Sequence, residues 1–193
     1  MQGKGEWGMG RCKWAESSDL MIAYHDGEWG VPVHDDRQLF GKLILDGFQA
    51  GLSWSTILNK RDNFLEAFDG FDPKKMAAYD RRRIAKLLKN SGIIRNRQKV
   101  ESAVKSARAY LKLAEEGVSF DEFLWSFVGG TPLRPARKTT RSVPAETKES
   151  QAMSKALVER GFRFVGPTIC YAFMQAVGMV NDHLVTCFRH AEL

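Results

Sequence analysis

The sequence predicts an all-α fold, and three observations predict it. Apolar residues recur at helical spacing along most of the 193 residues. No segment alternates convincingly with a period of two. The periodic stretches open on capping residues or stop at glycines. About eight short helices of ordinary length account for the pattern.

Taken in order, "DDRQLFGKLILDGF" has an Asp cap at 35 or 36 and an apolar stripe of Leu39, Phe40, Leu43, Ile44 and Phe48. "FDPKKMAAY" offers Asp72 as cap and Pro73 at the first helical position, where a missing N–H is harmless. "DRRRIAKLLKNSG" opens on Asp80 and closes at Gly92. From Arg97 to Glu116 one stripe carries Val100, Ala103, Val104, Ala107, Tyr110, Leu111 and Ala114, with Gly117 as the stop. "SFDE" reads as a capping box of Ser119 and Glu122. "TKESQAMSKALVERG" and "GPTICYAFMQAVG" are two more helices stopped by glycine, and Asn181 or Asp182 is placed to cap a last one. Residues 129–149, rich in Pro, Thr, Lys and Arg, read as a surface loop within a single unit spanning 1–193. Residues 1–10 read as a flexible extension.

Hydrophobic residues make up 44% and charged residues 27%, the balance of an ordinary globular protein with a core that needs no disulfides. No apolar run approaches the roughly 18 residues of a membrane span. The opening "MQGKGEWGMGRC" lacks the apolar region of a signal peptide, which predicts a cytoplasmic protein and three cysteines that serve as thiols or metal ligands. Net charge is +6, and "RRRIAKLLKNSGIIRNRQK" and "RPARKTTR" concentrate Lys and Arg without an acid. Each run alone is an ordinary solvated surface. Two in one modest domain point toward nucleic acid.

Three constellations carry possible chemistry. In "NDHLVTC", His183 and Cys187 lie four apart, so on a helix they would share a face and make half of a tetrahedral zinc site. By itself the pair is read more economically as a buried Cys beside a surface His. Trp14, Tyr24, His25, Trp29 and Trp54 lie within about forty residues on irregular backbone, which suits a core or a pocket for a flat ring. Asp46, at the edge of the Leu39/Leu43 stripe, is either satisfied by a polar partner, exposed at a helix end, or a ligand-facing acceptor. The Val165-Gly166-Pro167 turn between two helices suits backbone amides to phosphate oxygens.

"CKW", "IAYHDGEWGVP", "QAGLSW", "SGIIRNRQK", "WSFV" and "RGFRFVGPTICYAFMQAVGMVNDH" resemble the 3-methyladenine DNA glycosylase I family of the helix-hairpin-helix superfamily, from about Arg11 to Cys187. The resemblance implies a structural zinc ion on Cys12, His25, His183 and Cys187, joining the N- and C-terminal segments. It implies base excision repair: hydrolysis of the N-glycosidic bond of 3-methyladenine flipped out of double-stranded DNA carrying alkylated purines. Trp14, Tyr24 and Trp54 would form the base pocket with Trp29 in support, and Leu52 would plug the gap left in the duplex. Gly166 and Thr168 would meet the DNA at the hairpin.

Asp46 stands where the family has Glu, the catalytic acidic contact to the purine edge, and is one methylene shorter. Asn181 and Thr168 stand where related enzymes carry a catalytic Asp and a Schiff-base Lys, which implies a monofunctional enzyme without lyase activity. The chain is expected to act as a monomer at the nucleoid, away from membranes. The competing readings are a non-catalytic or altered-specificity binder of damaged DNA, given Asp46, and a zinc-stabilised interaction protein.

Overall fold

Residues 10–193 are described by the computed structural model. Among them are eleven α-helices, four 3-10 turns and no strand, only the isolated bridges Gly10 to Cys187 and Leu133 to Val180. The α-helices are α1 (Asp19–Gly27), α2 (Asp36–Gln49), α3 (Trp54–Leu58), α4 (Arg61–Ala67), α5 (Pro73–Ala77), α6 (Arg81–Lys89), α7 (Arg97–Glu115), α8 (Phe120–Trp125), α9 (Lys148–Glu159), α10 (Pro167–Ala176) and α11 (Phe188–Glu192).

Local chemistry sets most of these boundaries. Asp35 accepts from the Gln38 amide, Asp72 from Lys74 and Lys75, and Asp80 from Arg83, so each carboxylate satisfies amides that a first helical turn leaves bare. Ser119 takes the Glu122 amide. Asp36 of α2 takes the Phe120 and Asp121 amides, so a neighbouring helix helps to cap α8. α6 ends at Lys89 with Asn90 as its C-cap, two residues before the Gly92 stop that the sequence favours.

α2 is the central rod. It packs against α3, α7, α8 and α10, and its residues from Leu39 to Phe48 are buried apart from Lys42. Aromatic side chains fill the space beside it, with Phe48, Phe64 and Phe68 in mutual contact. α9 and α10 pack as a hairpin, and the turn between them carries Gly161 and Phe164 at positive φ. Gly47 has no side chain to oppose this turn; a Cβ there would meet Phe164 at 3.3 Å. The hairpin thus seats on α2 one residue from Asp46.

The first and last parts of the described residues meet. The Phe188 amide donates to the Gly10 carbonyl, so Gly10, the last residue of the expected extension, is tied into the fold. The rest of that extension, residues 1–9, lies outside the described residues. Residues 129–149 have no α-helix before Lys148 and are largely exposed, but they are anchored: Leu133 pairs with Met179 and Asn181, and Arg137 with Asp182.

Candidate functional site

A cavity of about 250 Å³ opens between α1, α2, α3 and α10. Trp14, Tyr24, Trp54 and Asp46, widely spaced in sequence, all line it. Trp14 sits on a 3-10 turn directly after Cys12, Tyr24 on α1, Asp46 in the last turn of α2, and Trp54 at the start of α3. The Tyr24 and Trp54 rings stand 5.2 Å apart, and Trp29 backs Trp14 edge to face at 4.9 Å. The lining is mostly aromatic and apolar, with a few polar groups aimed inward, as a slot for a flat ring requires.

Asp46 is only 1% exposed. Its Oδ1 accepts from Lys42, one helical turn earlier, at 2.5 Å. Its Oδ2 is buried with no partner, as is the Trp54 Nε1 donor. Buried polar atoms are rarely left unsatisfied, so an acceptor and a donor orphaned on the walls of one cavity mark where ligand atoms would bind. Burial holds the Asp46 carboxyl above the usual range, against the opposing pull of Lys42. Burial likewise lowers the Lys42 ammonium, which lies 4.1 Å from the centre of the Trp54 ring.

Asp182, also on the cavity wall, is fully engaged. It accepts from Arg137 at 3.0 Å, Gln175 at 2.8 Å and the Tyr171 hydroxyl. Burial, reinforced by Asp182, raises the Tyr171 phenol. Arg137, Thr140 and Val143 come from the 129–149 segment, and the latter two line the cavity, so this segment forms one of its walls. The sequence points none of them to the cavity: Asp182 reads there as a candidate helix cap, and Arg137 and Thr140 as part of a basic run.

Next to the cavity lies a fully buried group of Cys12, His25, His183 and Cys187, whose ligand atoms are all within 4.8 Å of one another. His25 Nδ1 contacts Asp26 at 2.7 Å, and His183 Nε2 contacts the Trp29 carbonyl at 3.0 Å. With those nitrogens donating, each ring turns a bare lone pair inward, Nε2 of His25 and Nδ1 of His183, only 3.2 Å apart. Two facing lone pairs repel unless a cation lies between them. Cys187 Sγ is 3.4 and 3.5 Å from these nitrogens, and Cys12 Sγ is 4.0 Å from His183. A tetrahedral site with metal–N of about 2.0 and metal–S of about 2.3 Å has edges of roughly 3.3 to 3.8 Å, which these spacings approach. Burial pushes His183 down to about 4, keeping it neutral, and pushes Cys12 up to about 11, so a thiolate there calls for a positive ion. The donor set fits a closed zinc site.

The convergence is not the one that four-residue spacing implies. Residues 181–187 are not helical; the chain turns at Val185 and Thr186, and Cys187 caps α11. Asn181 caps no helix. It accepts from the His183 amide and donates to the His190 carbonyl, bracing the turn that carries His183 and Cys187. Cys170 is a core thiol and His34 pairs with Asp121. Leu52, 41% exposed on the loop between α2 and α3, and the exposed Gly166 and Thr168 at the hairpin lie outside the cavity.

A helical rod carries a buried carboxylate into an aromatic slot, beside a helical hairpin and a closed Cys/His cluster, which defines an all-helical protein with a pocket for a flat ring. The family model for methyladenine glycosylase matches residues 14–190, and the chain belongs to that family. It is 49% identical over 179 residues to DNA-3-methyladenine glycosylase 1 of Escherichia coli (strain K12), covering 93% of this chain and 96% of that protein. It is 50% identical over 177 residues to DNA-3-methyladenine glycosylase of Haemophilus influenzae (strain ATCC 51907 / DSM 11121 / KW20 / Rd), covering 92% and 96%. A crystal structure of 3-methyladenine DNA glycosylase I superposes with a TM-score of 0.91 at 49% identity, covering 92% of this chain and 98% of that one. The Staphylococcus aureus enzyme, whose structure describes 3-methyladenine recognition, superposes at 0.89 and 35% identity, covering 93% and 96%.

Proposed function

We propose that this protein is a DNA-3-methyladenine glycosylase that flips the damaged nucleotide out of double-stranded DNA and hydrolyses its N-glycosidic bond, releasing 3-methyladenine and leaving an abasic site. The observation that carries the reading is the buried Asp46 Oδ2, unpartnered on the wall of an aromatic slot. Methylation at N3 makes the base cationic and a good leaving group. The protein's task is then to select and hold that cation, and strong acid catalysis is unnecessary.

Asp46 accepts from the purine edge, and its negative charge favours the methylated base over the neutral one. Trp14, Tyr24 and Trp54 supply ring faces, and each such contact favours a cationic ring by roughly 0.5 to 2 kcal/mol. Trp29 holds Trp14 in place. The C1′–N9 bond breaks with its electron pair going to the purine; water delivers hydroxide to C1′ and its proton leaves to solvent. Thr168 in place of an amine and Asn181 in place of a carboxylate support a monofunctional hydrolase without lyase activity.

The apolar Leu52 is exposed beyond the slot and suits the role of a wedge filling the gap left by the flipped nucleotide. Gly166 and Thr168, exposed where α10 begins, suit contact with the phosphate backbone in helix-hairpin-helix fashion. Cys12, His25, His183 and Cys187 would hold one zinc ion, which supplies cross-linking of the chain termini rather than chemistry at the base. The protein would act as a monomer in the bacterial cytoplasm, on nucleoid DNA.

The test is release of free 3-methyladenine from methylated duplex DNA, against heat-inactivated protein. Release above that control is expected and shows that Asp46 serves where the family has Glu. No release by folded protein overturns the reading and favours a binder of damaged DNA.

A further inference from the structure

Lys42 has no place in the reaction above, yet its ammonium occupies the centre of the site. It lies 4.1 Å from the middle of the Trp54 ring and 2.5 Å from Asp46 Oδ1, on the same ring face and the same carboxylate whose free Oδ2 would receive a cationic purine. Two cations cannot share one buried carboxylate and one ring face without strong repulsion. A second cavity of about 790 Å³ adjoins the first, and Tyr24, Lys42 and Ala176 line both. Its walls carry Arg37 and Arg61 as well as Glu28, Asp35 and Asp62; Arg61 is paired with Glu28 and Asp35 caps α2, so the flexible lysine stem has room on the far side with Asp62 as its acidic company.

We propose that Lys42 is a resident placeholder for the cationic base: it occupies Asp46 and Trp54 in the empty enzyme, swings into the adjoining cavity when the methylated base enters, and returns to expel the product. The assignment rests on the base-slot reading. The charge change of the reaction gives it direction. In DNA the base is a cation and competes with the ammonium on equal terms. Once the C1′–N9 electron pair passes to the purine, the released 3-methyladenine is neutral and loses its hold on the carboxylate, whereas Lys42 keeps its own charge. Between turnovers the lysine also supplies the counter-ion that keeps a buried carboxylate ionised. Lys42 is therefore a specificity and release residue, not a catalytic one.

The experiment has two arms. In Lys42→Met, inhibition by free 3-methyladenine tightens by about tenfold or more, because the product no longer meets a returning cation. In the wild-type protein, NMR contacts between the Lys42 Hε protons and the Trp54 ring are present when empty and vanish on saturation with 3-methyladenine; this arm stands even where the variant does not fold. Unchanged or weaker inhibition in Lys42→Met, or persistence of the Lys42–Trp54 contacts at saturation, overturns the inference and leaves Lys42 a fixed partner of Asp46. Wild-type release of 3-methyladenine alongside either result confines the failure to Lys42. Folded wild-type protein that neither releases nor binds 3-methyladenine brings down the base-slot reading itself.

Discussion

At Asp46 two oxygens of one carboxylate have different fates: Oδ1 meets Lys42 and Oδ2 has no protein partner. Replacing the charge while keeping the shape tests which matters. Asp46→Asn is expected to lower single-turnover release of 3-methyladenine by about 10²-fold or more, with the circular dichroism spectrum unchanged; release within a few-fold of wild type would remove the carboxylate from the mechanism. The pH dependence follows from burial. The native carboxyl lies above its unfolded value, so the native state binds the proton more tightly. Asp46 therefore contributes stability that is present below the unfolded pKa of about 4 and lost as pH rises through the native pKa, while the same rise creates the charged acceptor. The acid limb of the release profile should consequently fall above the ordinary carboxylate range, and the residual activity of Asp46→Asn should lack it. Asp46 was legible in the sequence because a carboxylate on an apolar stripe is anomalous. Lys42 was not, because a Lys and an Asp four apart is also a common pattern on exposed helix surfaces.

Helix starts were the most legible elements, since caps act within three residues. Asp72 with Pro73 and Asp80 were readable for that reason and form the caps of α5 and α6. The Lys75 amide, followed by Lys74, holds Asp72 below the usual carboxylate range, so its stabilisation is present above its unfolded pKa and lost as pH falls through the native value. Asp72→Ala should thus destabilise the protein by ~1 kcal/mol or less near neutrality, discounted for solvent screening, and the gap from wild type should close in acid; urea unfolding at several pH values checks this. Illegible were contacts between elements distant in sequence. Nothing local shows that 129–149 walls the cavity through Thr140 and Val143, or that the His183–Cys187 spacing reflects a turn instead of a helix. Gly178 looked like a simple stop. It has φ +75, and a Cβ there would fall 2.4 Å from the backbone nitrogen of Pro32, so it permits the α10 end to lie against the 31–33 segment. Gly178→Ala is expected to destabilise by about 2 kcal/mol or more, well above an exposed glycine such as Gly129 at similar φ. Equal costs at the two positions in urea unfolding would show that backbone strain, not close approach, dominates at Gly178.

Across the whole molecule the Cys/His cluster and the aromatic slot share parts. Cys12 is one of the four clustered side chains and also lines the slot; Trp14, two residues on, packs against His25 at 5.3 Å and Trp29 at 4.9 Å, and the Trp29 carbonyl meets His183. The segments around Cys12 and Cys187 and one wall of the slot therefore meet at the same four side chains. This makes the proposed zinc ion testable through two independent readouts. Purified protein should contain about one zinc per chain, and removal with a strong chelator should lower the melting temperature substantially, since structural zinc in small peptides binds with apparent energies of roughly 10 to 16 kcal/mol. Because Trp14 follows Cys12 on the loosened segment, the metal-free protein at a temperature where it remains folded should also bind 3-methyladenine about tenfold or more weakly. Cys187→Ala should reproduce both effects, while Cys170→Ala, a change to a core thiol outside the cluster, should leave zinc content intact whatever it does to stability. Loss of zinc without loss of base affinity would confine the metal to the termini and leave the slot to be held by the packing of α1, α2 and α3 alone.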